Sequence, residues 1–187
     1  MHKFIGKFLL DYKSIIDKFL IEEAELMTSN YVGIIDQERI PNEVKNYLAQ
    51  GGDLNHPLYY MQKIHEHLEI KKLSNFLDLQ QMSCTLQMQK LDHTVFMHND
   101  SNLYKGPYLR FFITPEDQVP GQIVLFDKDY WQFEQGSAVV FDVDNVHGTA
   151  NLAPNTQRFL IVLTGIPTER TWSYINNVDS FHVEDLR

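Results

Sequence analysis

Residues 137–164 read SAVVFDVDNVHGTANLAPNTQRFLIVLT. A short apolar run, Ser137 to Phe141, is introduced by Gly136 and runs into a polar turn with Asp142, Asp144 and Asn145. His147 follows, and a second apolar run, Arg158 to Thr164, opens on its only charge. Apolar runs this short, bounded by Gly, Asp, Asn and Pro, are strands. Alternate residues of a strand share a face, so Arg158, Leu160 and Val162 point one way and Phe159, Ile161 and Leu163 the other. A guanidinium facing an apolar interior needs an anionic partner, because an unpaired buried charge is very costly. A bound carboxylate, gripped through two parallel hydrogen bonds, supplies one.

Working outward, the whole second half keeps this rhythm, with apolar runs broken by Asn, Asp, Gly and Pro at 83–90, 93–98, 108–114, 121–127, 138–142 and 158–164. Many short strands in succession suit a barrel or jelly roll. The run 91–100 (LDHTVFMHND) ends on His98-Asn99-Asp100. In extended chain residues two apart point the same way, so His98 and Asp100 converge on one ion. With His147 they form a two-His, one-carboxylate set, the facial triad of non-haem Fe(II) sites that leaves coordination positions open. With Arg158 after the distal histidine, the set reads as an oxygenase dependent on Fe(II) and 2-oxoglutarate, with O2 as the remaining reactant.

Other polar residues have plainer readings. His65 and His67, in an HEH expected on a helix, point in different directions there and do not share an ion. His93 lies at an odd spacing from His98, which puts it on the opposite face of a regular strand. Asp142 and Asp144 flank His147 but fit a turn better than a ligand set. Asn151 is either a turn residue or a support for His147. Tyr130, Trp131 and Phe133 either line a pocket or pack in the core. Met82, Cys84, Leu86 and Met88 alternate with Ser83, Thr85, Gln87 and Gln89, so Cys84 is a packed strand residue.

The 187 residues suit one domain, 1–187, divided into a helical support region (1–80), a β core (81–167) and a C-terminal segment (168–187) that is either a packed strand and tail or a lid. Apolar residues at three- and four-residue spacing from Lys3 to Met27 read as an amphipathic helix. Pro41 opens a short helix that Gly51-Gly52 ends, and a third runs from Pro57 to Phe76 with Asn55 as its cap. One cysteine excludes an internal disulfide, and no apolar run is long enough to span a membrane, so a cytoplasmic protein is expected. A net charge of -9 without a basic patch excludes nonspecific nucleic-acid binding.

From Met82 to Pro167 the chain resembles the aspartyl/asparaginyl β-hydroxylases and related small amino-acid hydroxylases of the 2-oxoglutarate oxygenase superfamily. The likeness lies in 84–100 (CTLQMQKLDHTVFMHND), 108–112 (YLRFF), 131–142 (WQFEQGSAVVFD), His147, Asn151 and Arg158. It implies a double-stranded β-helix of cupin type, iron held by His98, Asp100 and His147, and the far carboxylate of 2-oxoglutarate held by Arg158. Arg110 matches the family's second arginine, near the cosubstrate. Asp100 stands where some animal members have glycine, and Phe112 where histidine is frequent. The implied reaction hydroxylates an amino-acid side chain, free or in a derivative or peptide, and releases succinate and CO2. The carboxylate at position 100 favours hydroxylation over halogenation, and no catalytic side chain beyond the metal centre is implied. The rivals are a cupin-like metal isomerase or hydrolase and a noncatalytic ligand-binding barrel.

Overall fold

A computed structural model describes residues 2–20, 23–28, 57–101, 103–179 and 182–187. The strands are β1 (His2–Leu9), β2 (Glu25–Thr28), β3 (Pro57–Lys63), β4 (Leu79–Gln89), β5 (His93–His98), β6 (Leu109–Ile113), β7 (Gln122–Phe126), β8 (Asp129–Trp131), β9 (Ser137–Asp142), β10 (His147–Asn151), β11 (Arg158–Pro167) and β12 (Val183–Asp185). The helices are α1 (Tyr12–Ile16), α2 (Leu68–Leu77) and α3 (Glu169–Asn177). One sheet has the order β12-β1-β9-β6-β11-β4-β3-β2 and the other β5-β10-β7-β8. The chain changes sheet between β4 and β5, β5 and β6, β6 and β7, and again at each step from β8 to β11. That winding is a double-stranded β-helix, the jelly-roll core expected from the strand rhythm.

Two cores hold it together. Between the sheets, Phe112, Val139, Phe141, Leu160 and Val162 of the large sheet pack on Val124 and Phe126 of the small one. On the outer face of the large sheet, Cys84, Leu86, Val140, Ile161 and Leu163 lie beneath Tyr12 and Ile15 of α1, Ile70 and Leu73 of α2 and Ile175 of α3. β9 and β11 are therefore buried on both faces, which is why they read as unbroken apolar runs. Each fully buried side chain of this size contributes roughly 1.5–3 kcal/mol. β4 differs, because Cys84 and Leu86 enter the outer core while Ser83, Thr85 and Gln87 line a cavity between the sheets.

The N-terminal region departs from the helical expectation. In place of a helix over Lys3–Met27 stand β1, the single turn of α1 and β2. The four-residue spacing of Phe4 and Phe8 comes from a bulge, where the pairing of β1 with β9 shifts register between Phe4 and Lys7, and that of Tyr12, Ile15 and Ile16 from the helical turn of α1. Gly6 sits there at φ +89°, and a Cβ on it would lie 2.2 Å from the His182 carbonyl oxygen. The shift turns Phe4 towards Trp131 and Phe133 and sends Ile5 and Phe8 into the outer core. The expected helix over 57–76 splits into β3, paired with β4, and α2. The helix expected after Pro41 and the Asn55 cap lie outside the described residues. Among the described residues, the region 1–80 thus contributes three strands to the large sheet besides the two helices that pack on its outer face.

The segment 168–187 forms α3 and β12, with β12 parallel to β1. Ile175 and Val178 belong to the outer core, so α3 is packed on the face away from the cavity and is not a lid. Among the described residues no helix is long and apolar enough to cross a membrane.

Candidate metal centre

His98 closes β5 and His147 opens β10 directly opposite it. Asp100 lies two residues past His98 in a tight loop. Its N–H donates to the Val143 carbonyl at 2.8 Å, and its own carbonyl accepts from the N–H groups of Leu103 at 2.8 Å and Tyr104 at 3.2 Å. The three side chains converge: Asp100 Oδ1 is 3.6 Å from His98 Nε2, and Oδ2 is 3.4 Å from His147 Nε2. One ligand atom from each falls within 4.8 Å of the others, a grouping that neither Asp142 nor Asp144 joins among the described residues.

The donor set fits a cation. His147 Nδ1 lies 3.0 Å from the Asn145 carbonyl, which only accepts, so Nδ1 carries the proton and Nε2 presents its lone pair. Burial pushes the His147 pKa down to about 3, with the neighbouring His98 and Arg110 acting the same way, so the ring is neutral. A neutral imidazole lone pair and a carboxylate oxygen thus face each other at 3.4 Å. That oxygen also takes the Arg110 guanidinium as its partner, and two imidazole nitrogens with a carboxylate gathered within 4.8 Å are a donor set for a divalent transition metal. Burial alone raises the Asp100 carboxyl, but the charge and hydrogen bond of Arg110 act against it, and the carboxyl is held below the usual carboxylate range.

Arg110, on β6, bonds Asp100 Oδ2 through Nη1. Its guanidinium carbon lies 5.8 Å from the ring centre of Tyr104, and its buried Nε has no partner. It lies beside the cluster, and its contact is the carboxylate of Asp100, where the resemblance implied a place near the cosubstrate.

Arg158 is placed differently. It is 3% exposed and lies on the inner face with Leu160 and Val162, as alternation requires. Nη1 donates to Gln89 Oε1 at 2.6 Å, while Nε and Nη2 have no hydrogen-bond partner among the described residues. Burial lowers its pKa to about 10, well above neutrality, so the charge stays. Among the described residues no carboxylate pairs with it, and it is not part of the cavity wall.

That cavity, of about 290 Å³, runs from the His98–Asp100–His147 cluster across the inner face of the large sheet. Ser83, Thr85 and Gln87 of β4, Thr149 of β10 and Thr164 of β11 give it a polar wall, and Tyr59 and Met61 of β3 extend it. Leu103, 70% exposed, and Tyr104 come from the loop after Asp100. Trp131 and Phe133 pack against Phe4 in the inner core, and Tyr130 is largely exposed, so none of the three lines the cavity.

The remaining sequence candidates fall away from the site. Asn151 is fully buried, with Nδ2 on the carbonyls of Gln89 (3.0 Å) and Thr156 (2.9 Å), and so closes the turn from β10 to β11. His67 caps α2 by accepting from the Glu69 N–H, and His65 precedes that helix, so neither is a helix-face residue as expected. Cys84 is buried, and burial raises its thiol pKa. His93 corrects the odd-spacing argument. β5 carries one extra residue against β10, so that Thr149 faces Val95 while His147 faces His98. Val95 and His98 both line the cavity although they are three apart. His93 falls in phase with Val95 and stacks on Tyr60. Gly148 makes the bulge possible, since a Cβ there would meet Met97 Sδ and the Val95 carbonyl oxygen, each at 2.9 Å. Gln89, Tyr104 and Gly148 were not singled out from the sequence. Gln89 carried a readable signal, as the last polar residue of an alternating strand.

No protein-family model matches the sequence, and no curated protein does. Among solved structures, the non-heme alpha ketoglutarate dependent carbocyclase SnoK from nogalamycin biosynthesis aligns with a TM-score of 0.56 at 11% identity, over 88% of this chain and 79% of that one. The non-heme alpha ketoglutarate dependent epimerase SnoN from the same biosynthesis aligns with a TM-score of 0.50 at 10% identity, over 83% and 86%. A sugar phosphate isomerase from a cupin superfamily of Silicibacter pomeroyi aligns over 58% of this chain and 59% of that one, with a TM-score of 0.40 and 11% identity, a likeness too loose to argue from. What this chain shares with SnoK and SnoN is the fold, the double-stranded β-helix.

Proposed function

We propose that the chain is a dioxygenase dependent on Fe(II) and 2-oxoglutarate that hydroxylates an amino-acid side chain, free, derivatised or within a peptide. The observation that carries the reading is a conjunction on one interior: a two-imidazole, one-carboxylate cluster with His147 and Asp100 buried and His98 half-buried, and a buried guanidinium that has no counter-ion among the described residues. SnoK and SnoN support the class through fold alone, and the side-chain substrate rests on the resemblance of Met82 to Pro167.

His98, Asp100 and His147 would hold the iron, and Arg158 the far carboxylate of 2-oxoglutarate. When bound, the metal and oxo acid supply the oxidising chemistry, with O2 consumed, 2-oxoglutarate converted to succinate and CO2, and one oxygen atom delivered to a substrate C–H bond. The chain's own residues do the positioning. The Asn145 carbonyl accepts from His147 Nδ1 and so fixes the tautomer that turns Nε2 towards the metal position. Arg110 holds the second oxygen of Asp100 and so orients the first. Phe112 and Val162 line the cavity beside the cluster and exclude water from it.

The test is succinate formation from 2-oxoglutarate by the Fe(II)-loaded protein, screened over amino acids and peptides for a product heavier by one oxygen atom. Turnover that requires both Fe(II) and 2-oxoglutarate supports the proposal. Metal binding without 2-oxoglutarate binding would replace it with a cupin-like isomerase or hydrolase. Absence of Fe(II) and Mn(II) binding under anaerobic conditions would replace it with a noncatalytic ligand-binding barrel.

A further inference from the structure

We propose that Gln89 is a positioning residue that fixes which edge of Arg158 is offered to a carboxylate, and that it does so without cancelling the arginine's charge. This rests on the reading of Arg158 as the 2-oxoglutarate grip.

Gln89 ends β4 directly opposite Arg158, and it is 2% exposed. Its backbone carbonyl accepts from Asn151 Nδ2 at 3.0 Å, which pins it to the end of β10. Its side-chain oxygen takes Arg158 Nη1 at 2.6 Å. The two unpartnered nitrogens, Nε and Nη2, are those whose N–H bonds run parallel on one edge of the planar guanidinium. That edge is a two-donor fork matched to the two oxygens of a carboxylate. With Nη1 tied down, the plane is fixed and only this side-on approach remains.

The chemical nature of residue 89 matters as much as its place. A buried arginine whose role was purely structural would be expected to face a carboxylate, because an isolated buried charge is very costly. Gln89 satisfies one donor yet leaves the whole positive charge for a ligand. Arg158 and the metal cluster lie towards opposite ends of β10, since His147 begins that strand and Asn151, bonded to Gln89, ends it. Four residues of strand span about 13 Å. A five-carbon diacid chelated at the metal would extend along that strand towards Arg158, whereas a two-carbon diacid would stay at the metal.

The experiment titrates the Mn(II)-loaded full chain anaerobically with 2-oxoglutarate and separately with oxalate, which chelates the metal and stops short of Arg158. Gln89→Glu keeps the shape and supplies a competing charge, and Gln89→Leu removes the acceptor. Arg158→Met is the reference for loss of the grip. We expect Gln89→Glu to weaken 2-oxoglutarate by at least about tenfold, because its carboxylate saturates the fork's charge. Gln89→Leu should weaken it by roughly three- to tenfold through loss of one hydrogen bond's worth of orientation. Oxalate affinity should stay within about twofold of the parent in both, since a positioning role reaches only the far carboxylate. Loss of oxalate and 2-oxoglutarate in step would make Gln89 merely structural and overturn the proposal. Unchanged 2-oxoglutarate affinity in both Gln89 variants, with Arg158→Met impaired, would also overturn it and leave the Arg158 reading standing. Unchanged affinity in Arg158→Met would remove that reading, and the proposal with it.

Discussion

Arg110→Met tests the centre through stability, with no need of metal or substrate. The side chains of Asp100 and Arg110 are 3% and 12% exposed, which places their pair with buried salt bridges. Removing one partner of such a pair costs about 3–5 kcal/mol, because the other charge is left buried and uncompensated. Two local features reduce this. The imidazoles of His98 and His147 remain beside Asp100, and the loop N–H groups of Leu103 and Tyr104 still fix its backbone. We therefore expect the metal-free variant to lose about 2–3 kcal/mol at pH 7. At roughly 2–4 °C per kcal/mol for a chain of this size, Tm should fall by about 4–12 °C. Denaturant unfolding in the presence of a chelator measures the loss. Asp100→Asn and the double variant complete a cycle in which the double should be less destabilised than the sum of the singles by about 2 kcal/mol. A loss below about 1 kcal/mol with no coupling would class the pair with exposed ion pairs and end the claim that Arg110 orients Asp100.

Three further outcomes are expected. His98→Ala, Asp100→Ala and His147→Ala should each lower Mn(II) affinity by more than the roughly 10–100-fold that loss of a supporting contact costs, with the near-UV spectrum unchanged; wild-type affinity in any one removes that residue from the ligand set. Gly148→Ala drives a methyl group into the Val95 carbonyl oxygen, which has no room to retreat. It should cost about 1–3 kcal/mol by calorimetry and weaken Mn(II) by displacing His98, and unaltered metal affinity would show that the bulge does not set the ligand. Glu69 is buried, and its carboxylate accepts from the Asp11 N–H at 3.0 Å and pairs with Lys72 at 2.8 Å. Burial acts to raise its pKa, but those partners prevail and hold it below the ordinary value. A depressed carboxylate stabilises above its unfolded value of about 4.3 and loses that contribution as pH falls through the folded value. Glu69→Gln should therefore cost about 1–2 kcal/mol at pH 7, with the gap to the parent narrowing below about pH 4. A gap of constant size from pH 7 to 3 would assign the loss to shape rather than charge.

The β core was legible because its strands are short, bounded by turn residues and either alternating or apolar throughout. The grouping of His98, Asp100 and His147 was legible because His98 ends a strand, Asp100 follows it by two residues and His147 opens the strand opposite. The N-terminus was misread for a physical reason: a bulge at Gly6 inserts one residue and sets Phe4 and Phe8 four apart, and the single turn of α1 carries the same spacing on through Tyr12, Ile15 and Ile16. The same effect at β5 hid the phase of His93. Alternation placed Arg158 on the inner face correctly, but no local pattern reveals that its neighbour across the sheet is Gln89, since register between β4 and β11 is set by the whole fold. Arg110 was singled out as a carboxylate binder, and the carboxylate it meets is the chain's own Asp100.

The inward polar stripe of β4 has a consequence for how this barrel changes over generations. Cys84 and Leu86 anchor the strand from behind, in the outer core, so the fold holds β4 without help from Ser83, Thr85 or Gln87. Those three positions contribute little packing, and replacing them removes no close-packed apolar neighbours of the kind whose loss leaves a costly void. Ligand preference can therefore drift by single substitutions along one side of one strand while stability stays where it was. In a barrel with an apolar lumen the same drift would pass through unstable intermediates. Here the lumen wall is an evolvable surface mounted on a fixed frame.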